Sequence, residues 1–214
     1  TWRSEQVQGG HRLRRLAAEA QRAGAATVLR LARLREPEVA ELVEAVAPDR
    51  AGQAAWLYRE SEGLPFFLAE YLAIPADGEP GATLPHGVRG LLQAKLGPVS
   101  EAGRQLLATA AVIGRSFDFD TVRGASGRSE EETVAALEEL TERGLVREVR
   151  EAGELPEVAY DFGHERMRAL VYEQTSLARR RLLHRRVAEA LAGRAHGRSP
   201  AASVARHFQL AGQD

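Results

Sequence analysis

The stretch Ser129–Phe162, SEEETVAALEELTERGLVREVREAGELPEVAYDF, decides how the chain is read. Ser129 is a good helix N-cap and Glu132 lies three residues on, so the two side chains satisfy each other's orphan backbone N–H groups in a capping box. The helix that starts there runs to Arg143, and Gly144 stops it by accepting a left-handed backbone. Leu145–Val149 and Val158–Phe162 read as two strands joined by residues 150–157. Just upstream, Glu101–Ile113 is a strongly apolar helix. A short helix follows at about Phe119–Ala125, then a turn at Ser126-Gly127-Arg128. Three helices and a two-stranded ribbon make a winged helix.

Toward the N-terminus, His11–Ala23 reads as an amphipathic helix with Leu13, Leu16 and Ala20 on one stripe, ended by Gly24. Thr27-Val28-Leu29-Arg30-Leu31 then reads as a short strand. A helix and strand at this spacing fit the last unit of an α/β sheet whose neighbours lie in upstream sequence. From Glu36 the pattern is helical, with Val39, Leu42, Val43 and Val46 as a stripe and Pro37 in the first turn, where its missing N–H costs nothing. Further helices are expected at about Ala51–Ser61, Pro65–Ala73 and His86–Leu96, with a loop or linker over Pro75–Pro85. Beyond the ribbon, Glu165–Gln174 and Leu177–Ala192 are helical, and Ala201–Ala211 reads as the start of a repeat array.

The expected fold class is therefore mainly α: a helical bundle subdomain, then a winged helix and further helices, with a residual αβ unit at the N-terminus. The expected divisions are 1–34 for the end of an α/β core, 35–97 for a small helical domain, 98–164 for the winged helix and 165–214 for the terminal helices. The chain opens without methionine and a helical pattern still runs close to Asp214, so sequence is expected on both sides.

Composition narrows the function classes. The 214 residues carry a net charge of -1, so no global field favours nucleic acid or an anionic membrane. There is no cysteine, which removes disulfide scaffolds, zinc ribbons and cysteine nucleophiles. No run of 18 apolar residues and no signal-peptide pattern occurs, so a cytoplasmic protein with no membrane partner is expected. The six histidines lie in no metal-ligand spacing, and neither Ser-x-x-Lys nor Gly-x-Ser-x-Gly is present. No catalytic and no metal-binding residue is assigned.

Three places carry functional readings beside plain structural ones. Gly63-Leu64-Pro65 joins two helices: Gly63 suits a positive φ and Pro65 opens the next helix. The corner is explained as a corner, or as a rigid turn that sets Pro65 and Phe66 against an adenine ring. His164 follows the second strand and opens a helix. It is a capping histidine, or a phosphate sensor acting with helix N-terminal N–H groups. Arg3 is a surface arginine, or one that faces the γ-phosphate of a nucleotide held upstream. The chain holds no G-x-x-x-x-G-K-[ST] loop, and its single lysine, Lys95, lies in no such sequence.

The winged helix raises the question of DNA. Its candidate recognition helix carries Glu130, Glu131, Glu132, Glu138, Glu139 and Glu142 against Arg143 alone, and that surface repels phosphates. Direct nucleic acid contact is not expected, although a DNA-binding regulator remains an alternative. The basic cluster Arg179, Arg180, Arg181, Arg185 and Arg186 is either the solvated face of a helix that packs through Leu183, Val187 and Leu191, or a dock for an acidic surface.

Taken together, these stretches resemble the C-terminal part of the nucleotide-binding module in signal-transduction ATPases with numerous domains. The nearest branch is that of the maltose-type LuxR regulators and of ATPase modules attached to adenylate cyclases or bacterial transcriptional activator domains. Thr1-Trp2-Arg3 resembles the sensor-one segment, and residues 27–34 the final core strand and its exit. Ser61-Glu62-Gly63-Leu64-Pro65-Phe66-Phe67-Leu68-Ala69-Glu70 resembles the Gly-x-Pro element. Ala110-Ala111-Val112-Ile113-Gly114-Arg115-x-Phe117 resembles the first winged-helix segment, and Phe162-x-His164 the family's phenylalanine-x-histidine. Arg179-Arg180-Arg181-x-x-His184-x-x-Val187-Ala188, continued by Ala205-Arg206-His207-Phe208, resembles the opening of a helical-repeat region.

The resemblance implies that Pro65 packs near adenine, that His164 reads the β-phosphate of bound ADP, and that Arg3 is the sensor-one arginine. It implies ATP or ADP as cofactor of the whole protein, held tightly only when the upstream core is present. It implies a regulatory chain that couples nucleotide state to partner domains and self-association, with the upstream core and downstream repeats as partners. Slow ATP hydrolysis is then expected of the whole protein and not of these residues, which lack the lysine loop. A protein-binding scaffold with no nucleotide role is the other alternative.

Overall fold

The computed structural model describes residues 11–74, 84–150, 158–193 and 201–212. It is mainly helical, with one small antiparallel sheet. The chain forms two compact units, Thr1–Gln93 and Ala94–Asp214.

In the first unit, α1 (Arg12–Arg22) starts on His11, whose imidazole accepts the Leu13 N–H at 3.2 Å. None of its residues is buried, and the stripe of Leu13 and Leu16 is exposed. Residues 26–35 hold neither helix nor strand, so the strand expected over Thr27–Leu31 does not form. Leu29 and Leu31 are 82% and 96% exposed. The physical reason is that β propensity expresses packing and pairing with a neighbour, and none is present among the described residues of this unit.

The body of this unit is α2 (Glu36–Val46), a 3-10 turn at Pro48–Gln53, α3 (Ala54–Ser61), α4 (Pro65–Leu72) and the start of α5 (His86–Leu96). Val39, Val43, Leu57, Phe67, Leu68, Tyr71, Val88 and Leu92 are buried. Leu42 and Val46, expected on the α2 stripe, are exposed, because only one narrow face of this short helix is covered. Arg50 is buried at 5% exposure. Its guanidinium donates to the carbonyls of Tyr71 (2.8 Å) and Ile74 (3.0 Å) and to the Gln53 side chain. It thereby satisfies orphan carbonyls at the end of α4.

The second unit is built on α6 (Glu101–Ile113), which is buried without interruption from Leu106 to Val112. Ser100 caps it by accepting the Gly103 N–H at 3.0 Å. Then come β1 (Ser116–Asp118), α7 (Phe119–Ser126), α8 (Glu130–Glu142), β2 (Val146–Arg150) and β3 (Val158–Phe162). The capping box of α8 is present, with Ser129 and Glu132 bonded in both directions. Gly144 takes φ 64°, and the Leu145 N–H bonds back to the Leu140 carbonyl at 2.9 Å.

The sheet has three strands in the order β1-β3-β2, all antiparallel, with Phe117 opposite Tyr160 and Val146 opposite Phe162. This is the arrangement of a winged helix. β1 is one strand more than the ribbon expected from sequence. Three residues are too few for a periodic signal, and pairing with β3 is what makes them a strand. Phe117 is buried, stacked on Tyr160 at 5.8 Å and edge-on to Phe162 at 6.0 Å. The chain continues through α9 (Glu165–Gln174), α10 (Leu177–Gly193) and α11 (Ala201–Ala211). α9 packs on α6, α10 on α6 and α7, and α11 on α10, so these helices belong to the winged-helix unit.

Among the described residues no helix is long and apolar enough to cross a membrane.

Candidate functional site

The Gly-x-Pro corner lies in the first unit. α3 ends with two consecutive left-handed residues, Glu62 (φ 47°) and Gly63 (φ 69°). Gly63 is required twice over. Its φ suits glycine, and a Cβ there would fall 1.9 Å from the Leu34 carbonyl oxygen. The close approach comes from the extended segment before α2, where the Leu34 N–H donates to the Gly63 carbonyl at 2.8 Å. Arg33 and Glu62 add an ion pair at 2.7 Å. The buried Ser61 hydroxyl accepts the Gly63 N–H at 3.2 Å. Glu62 is the non-glycine residue that absorbs the strain of this turn. The corner then presents Pro65, which is exposed, and Phe66, 49% exposed and edge-on to Phe67 at 6.2 Å. Leaving a proline face and a phenyl ring in water is unfavourable, so the corner has apolar surface to offer.

His164 lies in the second unit, at the junction of β3 and α9. It is 5% exposed. Its backbone is extended, and its Nδ1 accepts the Arg166 N–H at 3.0 Å, so it is the N-cap of α9. The turn before it is tight. Gly163 donates its N–H to the Leu145 carbonyl at 2.8 Å, and a Cβ at Gly163 would lie 2.8 Å from the Gly144 carbonyl. Arg168 fastens the same helix to α6 by donating to the Ala111 carbonyl at 3.2 Å while pairing with Glu165 at 2.6 Å.

Gly63, Pro65 and Phe66 thus form one continuous corner, and His164 belongs to the other unit. Arg3 lies outside the described residues.

A second group of histidines escapes a reading based on motif spacing. His184 of α10 and His207 of α11 are both buried, with Nδ1 to Nδ1 at 2.8 Å. The Tyr172 hydroxyl lies 3.1 Å from His184 Nε2. A neutral chain satisfies all three groups. Tyr172 donates to His184 Nε2, and the His184 Nδ1–H donates to His207 Nδ1. Burial first, then the neighbouring His207, Arg206 and Arg180, push the His184 pKa down to about 4. His207 is lowered by burial and by Arg206. The available signal was that His184 falls on the α10 stripe of Leu183, Val187 and Ala188, so it had to be buried.

Surface charge separates by helix. On α8, Glu130, Glu131, Glu132, Glu138 and Glu142 are exposed. Glu139 is instead tied to Ser100, whose N–H and hydroxyl donate to it at 2.9 and 2.5 Å. Those bonds hold its carboxyl below the usual range. On α10, Arg179, Arg181, Arg185 and Arg186 are exposed, and Arg180 lies over the Tyr172 ring at 4.9 Å. Among the described residues no group of three or more His, Asp or Glu side chains is arranged to hold a metal ion.

The chain matches no protein-family model, no curated protein and no solved structure.

Proposed function

We propose that this chain is the regulatory part of a nucleotide-dependent signal-transduction ATPase acting as a transcriptional regulator, in which the winged helix passes ADP or ATP state to partner domains and to self-association. The observation that carries the reading is the pair of glycine-built corners. One presents Pro65 and Phe66 outward, and the other plants His164 at the start of α9. Proline and phenyl faces suit an adenine ring. An imidazole beside the N–H groups of a helix start suits a phosphate. The nucleotide is held mainly by the upstream core in this reading, and Arg3 adds a cation to it.

The acidic α8 favours this function over a DNA-binding one. In a winged helix that helix enters the major groove, and five exposed glutamates oppose the phosphates there. In the wing, Arg147 is already paired with Asp161 at 2.9 Å.

The test is ADP titration by calorimetry of the chain joined to its upstream sequence. Pro65→Ala and His164→Asn are each expected to weaken ADP by about tenfold or more, asparagine keeping the helix cap. Equal ADP affinity in both variants removes the two corners from the site and ends the reading.

A further inference from the structure

In the second unit a cleft of about 500 Å³ lies between α6, the end of α7 and the first half of α10. It is a size that suits a small organic ligand. Arg128, Arg179 and Arg186 all line it, and no carboxylate does. Arg179 and Arg186 are seven residues apart, so both fall on one face of α10. Arg128 reaches in from the turn after α7, held by a 2.6 Å bond to the Gln105 side chain and a 3.6 Å approach to Glu132. The Arg186 guanidinium meets only the Ser126 carbonyl, at 3.5 Å. The Arg179 guanidinium makes no hydrogen bond or ion pair among the described residues; its field reaches Glu101, whose carboxyl is held low chiefly by Gln105 and Arg104. Ser176 accepts the Arg179 N–H at 3.3 Å and keeps its own hydroxyl hydrogen for another acceptor.

Three guanidinium groups around one concavity repel each other, and low-dielectric walls concentrate their field. Planar forks of N–H donors match phosphate oxygens two at a time. Beside the charges, Leu182, Leu183 and Ala178 give the cleft an apolar wall. A bare inorganic anion gains nothing from that wall.

We propose that this cleft binds a small phosphorylated organic solute, with Arg128, Arg179 and Arg186 on the phosphate and the leucine wall against the organic body. The site does not depend on the nucleotide reading, since His164 does not line it.

Calorimetric titration of the protein at low salt with phenyl phosphate and with inorganic phosphate tests it. Phenyl phosphate is expected to bind saturably with Kd below about 1 mM, and more tightly than inorganic phosphate. Arg179→Ala and Arg186→Ala, both at exposed positions, are each expected to weaken it by about tenfold. Arg181→Ala removes the same charge from the same helix outside the cleft and is expected to change the affinity less than about twofold. Absence of saturable binding overturns the site. So does an equal loss in Arg181→Ala, which reduces the effect to the general field of α10. Equal affinity for the two probes overturns the organic-body part.

Discussion

The two units bury their polar groups by different chemistry. The first buries an arginine, Arg50, against main-chain carbonyls, and Ser61 against a turn. The second buries three imidazoles, His164, His184 and His207. A guanidinium keeps its charge at any ordinary pH, whereas imidazoles change theirs within the physiological range. The corners differ in the same way. Gly63 makes a turn by geometry alone and leaves its neighbours facing water. Gly163 makes a turn in which the next side chain, His164, is spent on holding a helix. The first unit is therefore steric where the second is protonic.

The hardest blow to this contrast is Gly63→Ala. With a Cβ 1.9 Å from the Leu34 carbonyl and a left-handed φ, the corner has to break, at a cost of at least about 3 kcal/mol. Both tryptophans, Trp2 and Trp56, fall in the first unit, so their fluorescence in a denaturant series reads this loss directly. A transition midpoint equal to that of the parent refutes the steric account.

His164→Ala is next. Removing the cap of α9 is expected to cost about 1 kcal/mol, and His164→Asn to recover most of it. Hydrogen exchange over residues 165–174 measures both. No change in protection in the alanine variant means that the imidazole is not what holds α9.

At neutral pH the smallest effect is the titration of the buried pair, and its sign follows from linkage. His184 binds its proton with a pKa of about 4 in the folded chain against 6.5 when free. Between those values the unfolded chain holds more protons, so stability falls as pH drops from about 6.5 to about 4. Thermal melts of the second unit by circular dichroism are expected to show that slope, and the double variant His184→Leu, His207→Leu to flatten it whatever its starting stability. The tryptophan signal of the first unit is expected to stay level down to about pH 4.5, where carboxylates begin to titrate. A slope that survives in the double variant places the protonation elsewhere.

Legibility in the sequence tracks the range of the interaction. Ser129, Glu132 and Gly144 act within one helix, so the bounds of α8 follow from spacing. The same holds for α5, α6 and α9, whose apolar periods agree with their end signals. Gly63 was legible as a glycine needing positive φ, but its second constraint, the Leu34 carbonyl, comes from about thirty residues away. His164 was legible as a helix opener, and its capping bond is local. Arg50 was not, because an arginine before a helix carries no sign of carbonyls 21 and 24 residues downstream.

Three features exist only because distant segments meet. β1 is a strand because β3 supplies partners 40 and more residues later, and residues 27–31, with stronger β composition, are not a strand among the described residues because no partner is beside them. His184 and His207 form a pair because α11 packs on α10. The arginine cleft needs α6, α7 and α10 together. Capping, glycine stops and apolar periods are settled within a few residues by backbone geometry. Pairing, buried charge and concavity depend on which surfaces the hydrophobic core brings face to face.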